Sequence, residues 1–391
     1  TKLGEVTFVT ATDGNHGRGV AWTANAWVST LWFTCPRAAL RSVWSSGVKL
    51  ICEEYEHLKQ MLGRIPDLLD FDENESIDPL RIFMKFGSYH AFLSKYEPSY
   101  QTRFDDTQCS MLKFISQKLA NGKRLEDLLL IRNVVRSAST SYAPLAEELH
   151  ERTGRKLNRL ALDSAFAVLS GSFSSAGQSL IEFDGERYIP NRQFAAALED
   201  GEFKRHIMEA LDFGLSRNSQ FYGKTYRDTN FVLCAKYTYE DVCKLLNWEK
   251  NQNAQIIGGY KYDEGTNTFP VFINYDKDPS INDTIKYEDR FVSDRELIAI
   301  SKQSRTLNSP EIQRLQQWPG NGMRSYLFVR KNKDDQDGGM QFYFLGEIMP
   351  TGTYTPFTMP GTKMQAVEIT YRLDQPVRAD LYDYIMSDFD A

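Results

Sequence analysis

Histidine and cysteine are both scarce in this chain, with five of each among its 391 residues. Neither residue type occurs in the paired spacing of a structural metal site, so we expect no metal ligation and no histidine-based catalytic triad. The cysteines are also too few and too scattered for a disulfide framework. They are typical of thiols in a reducing cytoplasm, which is therefore the expected compartment.

Long apolar runs and an excess of positive charge are missing as well. No segment approaches the length of a membrane span, and the N-terminal sequence lacks the basic-then-apolar order of a signal peptide. The formal net charge of −6 excludes a surface uniformly suited to polyanions, although a local basic face is compatible with it. Hydrophobic residues make up 41% of the chain, enough for two or three soluble domains with buried cores.

Two enzyme motifs begin in this sequence and are not completed. Gly223–Thr225 reads GKT, as at the end of a phosphate-binding loop, but Asn218 stands where that loop requires an upstream glycine. His57 and Lys59 have the opening spacing of a phospholipase-D-type nuclease motif, and Arg64 stands where its aspartate should follow. We therefore predict no catalytic residue and no cofactor, and we do not expect the chain to be an enzyme by itself.

The first 46 residues differ in pattern from the rest of the chain. Glu5–Thr12 alternates like a strand and leads into the glycine-rich segment DGNHGRG (Asp13–Gly19). Residues 1–27 resemble a fragment of the pyridoxal-phosphate enzymes of the diaminopropionate ammonia-lyase kind, in which the loop asparagine, here Asn15, would lie against the cofactor ring. The Schiff-base lysine context and the phosphate loop of that family are missing. We predict that residues 1–46 are non-functional, because an isolated strand and loop cannot bury a core.

Residues 47–222 have the periodicity of amphipathic helices. One of the predicted helices has Ser76 as its cap and Pro79 in its first turn. Asp184-Gly185, flanked by alternating apolar residues, predicts a hairpin. Helices followed by a hairpin are typical of a winged-helix-like unit, and a plain helical linker is an equally good interpretation, so both alternatives are left open.

Residues 223–391 change to a pattern of strands and turns, which makes the expected fold class α+β. Closely spaced strands with little helix between them favour a largely antiparallel barrel or a strongly curved sheet. The predicted strands span residues 256–263, 269–276, 326–331, 342–349 and 365–373.

Most of the chain, residues 50–390, resembles the C-terminal part of bacterial restriction-type helicases of superfamily two that also carry a phospholipase-D-type nuclease. The resemblance is collinear and is carried by the segments at residues 58–83, 237–263, 268–278, 285–291, 301–312 and 326–348. It implies a helical linker domain at residues 47–222 and an SRA-like DNA-recognition domain at residues 223–391. The nuclease and motor of complete members are not in this sequence. We expect it to be the truncated specificity portion of a restriction system, with phage defence as the implied setting.

The resemblance also implies that the partner is duplex DNA, with 5-methylcytosine as the expected modification. A homodimer is compatible with the sequence, and no membrane contact is expected. In SKQSRT (residues 301–306), two cations lie among small hydroxyl side chains, a combination suited to binding phosphates. We predict phosphate contacts from Lys302, Arg305, Arg314, Arg324, Arg330 and Lys331. For any one of these side chains, a solvated basic face is the alternative.

Aromatic residues flank the predicted strands and suggest a pocket for one extruded base. The predicted pocket residues are Trp248, Tyr260, Tyr275, Tyr287 and Asp289. The carboxylate of Asp289 would accept a hydrogen bond from the amino group of cytosine. Core packing for the rings, and pairing of the acidic residues with Arg290 or Arg295, are the alternatives left open.

Two other functions are left open. A divergent nuclease would use a divalent ion held by Asp276, Asp283, Glu288 or Asp289, although aspartates in such a turn-rich stretch are usually solvated. Alternatively, these domains mainly assemble protomers and contact DNA weakly. Metal-dependent nicking of plasmid would indicate the nuclease, and sizing at several concentrations with and without DNA would indicate the assembly role.

Overall fold

The computed structural model describes residues 39–74, 76–175, 177–252, 254–275, 289–331, 341–359 and 363–387. Side chains are described from residue 47 onward, apart from Ala254. Residues 1–27, which resemble a fragment of pyridoxal-phosphate enzymes, therefore lie outside the described residues. The chain forms two compact units, of which the first contains the residues up to 121 and residues 201–213.

The first unit is helical. Its helices are α1 (Ala39–Leu62), α2 (Leu68–Glu73), α3 (Pro79–Phe86), α4 (Tyr89–Tyr96) and α5 (Asp106–Phe114), which continues as a π-helical turn over Ile115–Leu119. Their apolar faces meet in a core where Tyr55, Ile82 and Phe92 are at most 1% exposed. The rings of Tyr55 and Phe92 meet edge to face with centroids 5.1 Å apart. Burial of each such side chain stabilises the fold by about 1.5–3 kcal/mol.

The cap of α3 differs from the predicted one. Asp78, and not Ser76, is the N-cap: its side chain accepts a hydrogen bond from the Leu80 N–H at 2.9 Å. Pro79 takes the first helical position, where a missing N–H costs nothing, so the residue immediately before it becomes the cap. The Ser76 hydroxyl donates to the Glu54 carboxylate at 3.1 Å instead.

The second unit contains residues 122–200 and the residues from 214 onward. Its first part consists of α6 (Leu125–Ser137), α7 (Tyr142–Thr153), α8 (Arg159–Leu169), β1 (Ile181–Phe183), β2 (Tyr188–Pro190) and α9 (Arg192–Ala197). The chain then continues through α10 (Gly201–Arg217), whose beginning belongs to the first unit, into a π-helical turn over Asn218–Tyr222.

The hairpin predicted at Asp184-Gly185 is confirmed. β1 and β2 pair antiparallel, Gly185 has a φ of +104°, and the Asp184 side chain accepts hydrogen bonds from the N–H groups of the two residues after the glycine. An isolated antiparallel bridge joins Thr140 to Tyr188. The resulting order of helix, bridge, two helices and hairpin is compatible with a winged-helix-like unit, and that interpretation stays a prediction beside the plain helical linker.

The rest of the second unit is rich in sheet. Its elements are β3 (Lys236–Tyr237), α11 (Tyr239–Leu245), α12 (Ala254–Ile257), β4 (Thr268–Asn274), β5 (Arg290–Ser293), β6 (Glu296–Ile300), α13 (Pro310–Gln316), β7 (Arg324–Arg330), β8 (Phe342–Thr358), β9 (Gln365–Leu373) and α14 (Ala379–Met386). The strand order is β4-β7-β8-β9-β6-β5, and β3 pairs with β8.

This sheet is open in the part of the chain that the structure describes. β4 and β5 lie at opposite ends of the strand order, and β4 pairs parallel with β7, while the other pairs are antiparallel. The α+β class, with a helical region followed by a sheet-rich region, is therefore confirmed. The closed-barrel alternative is wrong.

The strand predicted at residues 256–263 is also wrong. α12 ends at Ile257, and Gly258 and Gly259 follow with φ values of +47° and +91°, which turn the chain back on itself. Only isolated bridges remain, from Tyr260 to Val271 and from Asp263 to Thr268. Two consecutive glycines outweigh the apolar alternation of the residues around them.

One face of the sheet carries the main apolar core of this part of the chain. Leu327 of β7 and Val367 of β9 are fully buried in it. Ile312 of α13 and Ile385 of α14 belong to the same cluster, so both helices cover this face. The sheet is thus a rigid base from which the loops between strands present their side chains.

Buried ion pairs connect residues 122–200 to the sheet-rich part within the second unit. The Lys123 Nζ lies 2.6 Å from the Asp241 carboxylate, and the Lys244 Nζ lies 2.7 Å from the fully buried carboxylate of Asp127. Arg124 donates to Asp127 and, at 2.7 Å, to the Lys244 carbonyl oxygen. Burial alone would raise the pKa of Asp127, but Arg124 and Lys244 together hold it below its usual value.

Candidate nucleic-acid interface

The SKQSRT loop (residues 301–306) follows β6 and is held along the beginning of β9. The Ser301 N–H donates to the Val367 carbonyl at 2.9 Å, and the Arg305 N–H donates to the Gln365 carbonyl at 3.2 Å. The Ser301 hydroxyl oxygen in turn accepts from the Val367 N–H at 2.9 Å. These bonds extend the strand pairing beyond Ile300 and fix the backbone of the loop.

The turn after α12 lies against this loop. The Tyr260 hydroxyl accepts the Lys302 N–H at 3.1 Å, and the Lys302 Nζ lies 5.0 Å from the centroid of the Tyr260 ring. Burial raises the pKa of Tyr260 to about 12, so the hydroxyl is neutral at pH 7 and remains a partner for the loop. A Cβ at Gly258 would lie 3.6 Å from the Lys302 Cε, which is an ordinary contact, so the positive φ of +47° and not a lack of space favours glycine there.

Three positive charges meet one negative charge at this place. Lys302 is half-buried, and the pKa of its amine is lowered, first by burial and then by Arg305 and Lys261, while Glu311 opposes the shift. Glu311 forms an ion pair with the Arg305 guanidinium. Because the cations outnumber the carboxylate, the site has a positive potential that an anionic ligand would relieve.

Arg314 adds a fourth cation to the same neighbourhood. It lies on α13, one turn after Glu311, and its guanidinium stacks 3.8 Å from the centroid of the Tyr262 ring, next to Lys261 in the chain. The cation cluster is defined here as Lys261, Lys302, Arg305 and Arg314. All of these side chains are partly exposed, so they can reach a large ligand without unfolding.

Three of the predicted phosphate contacts make other interactions. Arg324 pairs with Asp228 at 2.9 Å and with Glu347 at 3.3 Å. Arg330 is only 6% exposed, with its guanidinium 4.5 Å from the centroid of the Phe342 ring and bonded to Asn274. Lys331 is equally buried and donates to the carbonyl oxygens of Tyr384 and Ser387 at 3.0 and 2.6 Å. The structure therefore brings Lys302, Arg305 and Arg314 of the predicted set to one part of the surface. A phosphate role stays a prediction for every residue of that set.

The rings predicted to line a base pocket are covered by protein. Trp248 is 1% exposed and donates from its indole N–H to the Thr268 hydroxyl at 2.9 Å. Tyr260 and Tyr275 are each 7% exposed and belong to the core under the sheet. Stacking on a base would require these side chains to leave the core, so their role in a pocket stays a prediction.

The remaining predicted site residues lie near or inside an undescribed stretch. Asp289 accepts a hydrogen bond from the Ile300 N–H at 2.7 Å. Tyr287 lies outside the described residues, as do Asp276, Asp283 and Glu288 of the nuclease alternative. In the ranges that the structure does describe, no group of three or more histidine, cysteine, aspartate or glutamate side chains could hold a metal ion. Those ranges also contain no helix with the length and apolarity needed to cross a membrane.

Three residues of this surface were not predicted from the sequence. Lys261 was assigned to a strand that does not form, although its position just after two glycines indicates a turn. Ile256 and Met364 are apolar side chains that are 49% and 44% exposed. Only the three-dimensional placement of the two segments beside the SKQSRT loop shows that these residues lie near the cations.

Two family models match separate segments of the chain. Residues 51–223 match a family described as "Domain of unknown function (DUF8090)", and residues 231–385 match one described as "Domain of unknown function (DUF3427)". No curated protein matches the chain.

Solved structures are similar to parts of the chain at low identity. The DNA modification-dependent restriction endonuclease AspBHI is 13% identical, with 39% of this chain and 45% of that one covered and a TM-score of 0.27. The DNA recognition domain of the cytosine modification-dependent restriction endonuclease LpnPI is 14% identical, with 37% and 75% covered and a TM-score of 0.26. A complex of the SUVH5 SRA domain with methylated CHH DNA is 13% identical, with 37% and 90% covered and a TM-score of 0.24. The chain thus spans less than half the length of the AspBHI chain, and both of its main segments match families without a described function.

Proposed function

We propose that the sheet-rich part of the chain binds duplex DNA through the cation cluster. The observation that carries this proposal is the meeting of Lys261, Lys302 and Arg305 with Glu311 as their opposing charge. A protein does not gain stability from crowding like charges, whereas a polyanion neutralises them and releases its own counterions. Phosphates also accept hydrogen bonds from side-chain amide and hydroxyl groups, such as those of the exposed Gln303 and Ser304 of the SKQSRT loop.

The overall negative charge of the chain implies that DNA can bind only at a local basic surface such as the cation cluster. With a net charge of −6, the protein as a whole repels a polyanion. Binding must therefore be confined to a local basic face, and its strength should fall steeply as salt is raised. The sequence resemblance to restriction-type helicases agrees with DNA as the ligand.

We further propose a preference for duplexes that contain a modified cytosine, in the context of a restriction system. Physical limits bound the size of this preference. Burial of one methyl group contributes about 0.8 kcal/mol, and a pocket that discriminates one carbon rarely exceeds roughly 1–3 kcal/mol. We therefore expect a several-fold to about hundred-fold preference, since each 1.4 kcal/mol corresponds to a factor of about ten.

The test is a fluorescence-anisotropy titration of the full chain against matched duplexes, with and without 5-methylcytosine, at two salt concentrations. Lys302→Gln should weaken binding of both duplexes alike and reduce the salt slope by about 1, because phosphate contacts carry no sequence information. Lys113→Gln is the matched control: it removes one charge from an exposed site of the first unit. Absence of binding to either duplex would overturn the proposed function, and equal affinity for both would overturn the modified-base part alone.

The division into a linker domain at residues 47–222 and a DNA-recognition domain at residues 223–391 is part of the same proposal. So are its setting in a helicase–nuclease system of the cytoplasm and the possibility of a homodimer. Sizing with and without DNA tests the assembly alternative, and metal-dependent nicking of plasmid tests the nuclease alternative.

A further inference from the structure

Two exposed aliphatic side chains lie on either side of the cation cluster. Ile256 is 49% exposed, and its carbonyl oxygen lies 3.5 Å from the Lys302 Nζ. Met364 is 44% exposed and directly precedes Gln365, whose carbonyl oxygen accepts the Arg305 N–H. One apolar group therefore flanks the lysine side of the cluster, and another flanks the arginine side.

Both side chains are presented by a constrained backbone. Ile256 is in α12, where its neighbour Ile257 is fully buried and the two glycine turns follow at once. Met364 is held where the strands β8 and β9 meet, because the Met359 N–H donates to its carbonyl oxygen at 2.8 Å.

Single exposed apolar side chains are common on protein surfaces and need no explanation. Their position beside the cations is what distinguishes these two. A duplex whose phosphates lie on the cluster also brings its grooves and base edges to the flanks of the cluster. The apolar surfaces offered there are thymine methyl groups and, where a step opens, the faces of the bases.

We propose that Ile256 and Met364 contact the bases next to the bound phosphates and make the protein prefer a duplex with a weakened base step. This inference rests on the proposed function and adds the substrate class: duplex DNA that is easily unstacked. Aliphatic side chains inserted at a step require it to open. Opening a step costs more free energy in a matched duplex than at a mismatch.

In this arrangement the exposed aliphatic residues contact the bases, whereas the sequence had predicted that aromatic residues would do so. Trp248, Tyr260 and Tyr275 support the surface from below, since their rings are covered. The side chains of Ile256 and Met364, by contrast, are 49% and 44% exposed.

The experiment compares two duplexes of identical length, one matched and one with a single central mismatch, in anisotropy titrations of the full chain. We expect the unchanged protein to bind the mismatched duplex about five- to fifty-fold more tightly. The double variant Ile256→Ser, Met364→Ser should lose most of this preference, mainly through weaker binding of the mismatched duplex, while its salt slope stays unchanged because the phosphate contacts remain. A 2-aminopurine placed beside the mismatch should brighten on binding of the unchanged protein and less on binding of the variant.

Val292→Ser is the matched control, because Val292 is an aliphatic residue of strand β5 and is 56% exposed. Ile256→Leu should retain the preference, since it keeps the apolar volume. Thermal melting of each variant checks that the fold is intact. If the unchanged protein binds both duplexes equally, or if the double variant keeps the preference, this inference is wrong while the proposed function stands. If neither duplex binds, the proposed function fails and the inference fails with it.

Discussion

At the residue scale, Glu311 sets the balance of charge in the cation cluster. Its carboxylate pairs with Arg305 and raises the pKa of Lys302 against the effect of burial and of the other cations. In the bound state the same carboxylate would face phosphates of like charge. Glu311 is therefore expected to keep the empty site stable at some cost to DNA affinity.

We predict that Glu311→Gln increases the affinity for duplex DNA by about three- to ten-fold at low salt, because it removes a negative charge next to the phosphates. The gain should shrink as salt is raised, since exposed charges are screened within about 10 Å at 0.1 M ionic strength. Anisotropy titrations at two salt concentrations measure it. Asp380→Asn, which removes an exposed carboxylate that pairs with Arg378, is the control. A loss of affinity in Glu311→Gln would show that the carboxylate organises the site instead of opposing the ligand.

The sequence identified part of this cluster and not the rest. Lys302 and Arg305 were predicted because they lie together among hydroxyl residues, which is a local pattern. Arg330 was predicted because other cations lie close to it in sequence, yet it is buried against Phe342. Exposure of a cation depends on which face of a strand it occupies and on what covers that face. Neither can be derived from the residues beside it.

At the scale of elements, hydrophobic alternation predicted most of the described strands. It failed where a turn, and not the apolar pattern, determines where a strand begins or ends. The hairpin at Asp184-Gly185 was predicted because glycine suits the positive φ of that turn. The hairpin of β5 and β6 was missed: its strands have only four and five residues, and charged residues form its turn. The glycine pair after α12 was overlooked inside an apolar run. Local preferences are therefore most reliable where a single residue type controls the turn.

The helical first unit contains a buried row of hydrogen-bonded polar rings, and we expect this row to make the stability of the unit depend on pH. His90 Nδ1 lies 2.8 Å from the Tyr100 hydroxyl, which lies 2.6 Å from His206 Nε2. All three side chains are at most 8% exposed. Burial, together with smaller contributions from His206 and Arg103, lowers the pKa of His90 to about 4.

We predict that acid destabilises this unit between pH 6.5 and pH 4. In the unfolded chain His90 binds a proton near its ordinary pKa of about 6.5, whereas in the folded chain it does so only near 4. The unfolded state therefore takes up more protons in this window, and the free energy of unfolding falls by up to about 3 kcal/mol as the pH is lowered through it. Above pH 6.5 both states are neutral at His90, and this contribution does not change.

Urea unfolding at pH 7.0, 5.5 and 4.5, followed by circular dichroism of the helices, measures this dependence. His90→Gln should flatten the slope between pH 6.5 and 4, because glutamine does not titrate. His57→Gln is the control, since it removes a histidine that lies elsewhere on α1 and is exposed. An unchanged slope in His90→Gln would assign the acid sensitivity to other groups.

At the scale of the whole molecule, the sequence pattern predicted the order of a helical and a sheet-rich region, because amphipathic helices and alternating strands leave different periodicities. This change of pattern, with which the family resemblance agrees, placed one boundary between residues 222 and 223. The compact units are interleaved instead: residues 122–200 belong with the sheet-rich part, and residues 201–213 belong with the first helices. Long-range contacts of this kind leave no periodic signal in a sequence. The division at 222/223 stays a prediction that proteolysis can test.

We predict that a cut between the helical and sheet-rich segments leaves the two pieces associated. The segment after α10 is polar and contains exposed Lys224, so trypsin should cut there first. Separation would then leave Lys123 and Asp241 without their ion pair, which joins buried side chains 2.6 Å apart. It would also remove Arg124 from the Lys244 carbonyl oxygen. Breaking a buried pair by removing one partner typically costs about 3–5 kcal/mol.

The measurement is limited trypsin treatment followed by size-exclusion chromatography under native conditions, with denaturing electrophoresis of each peak. Both fragments should elute together at the size of the intact chain and separate only in denaturant. Asp241→Asn should allow them to separate at lower urea, because the buried Lys123 amine then lacks its counter-charge. Asp380→Asn, which alters an exposed pair, should leave the urea dependence unchanged. Two separate peaks without denaturant would instead support independent domains that meet at 222/223, and the ion pairs of the second unit would then contribute little to holding the segments together.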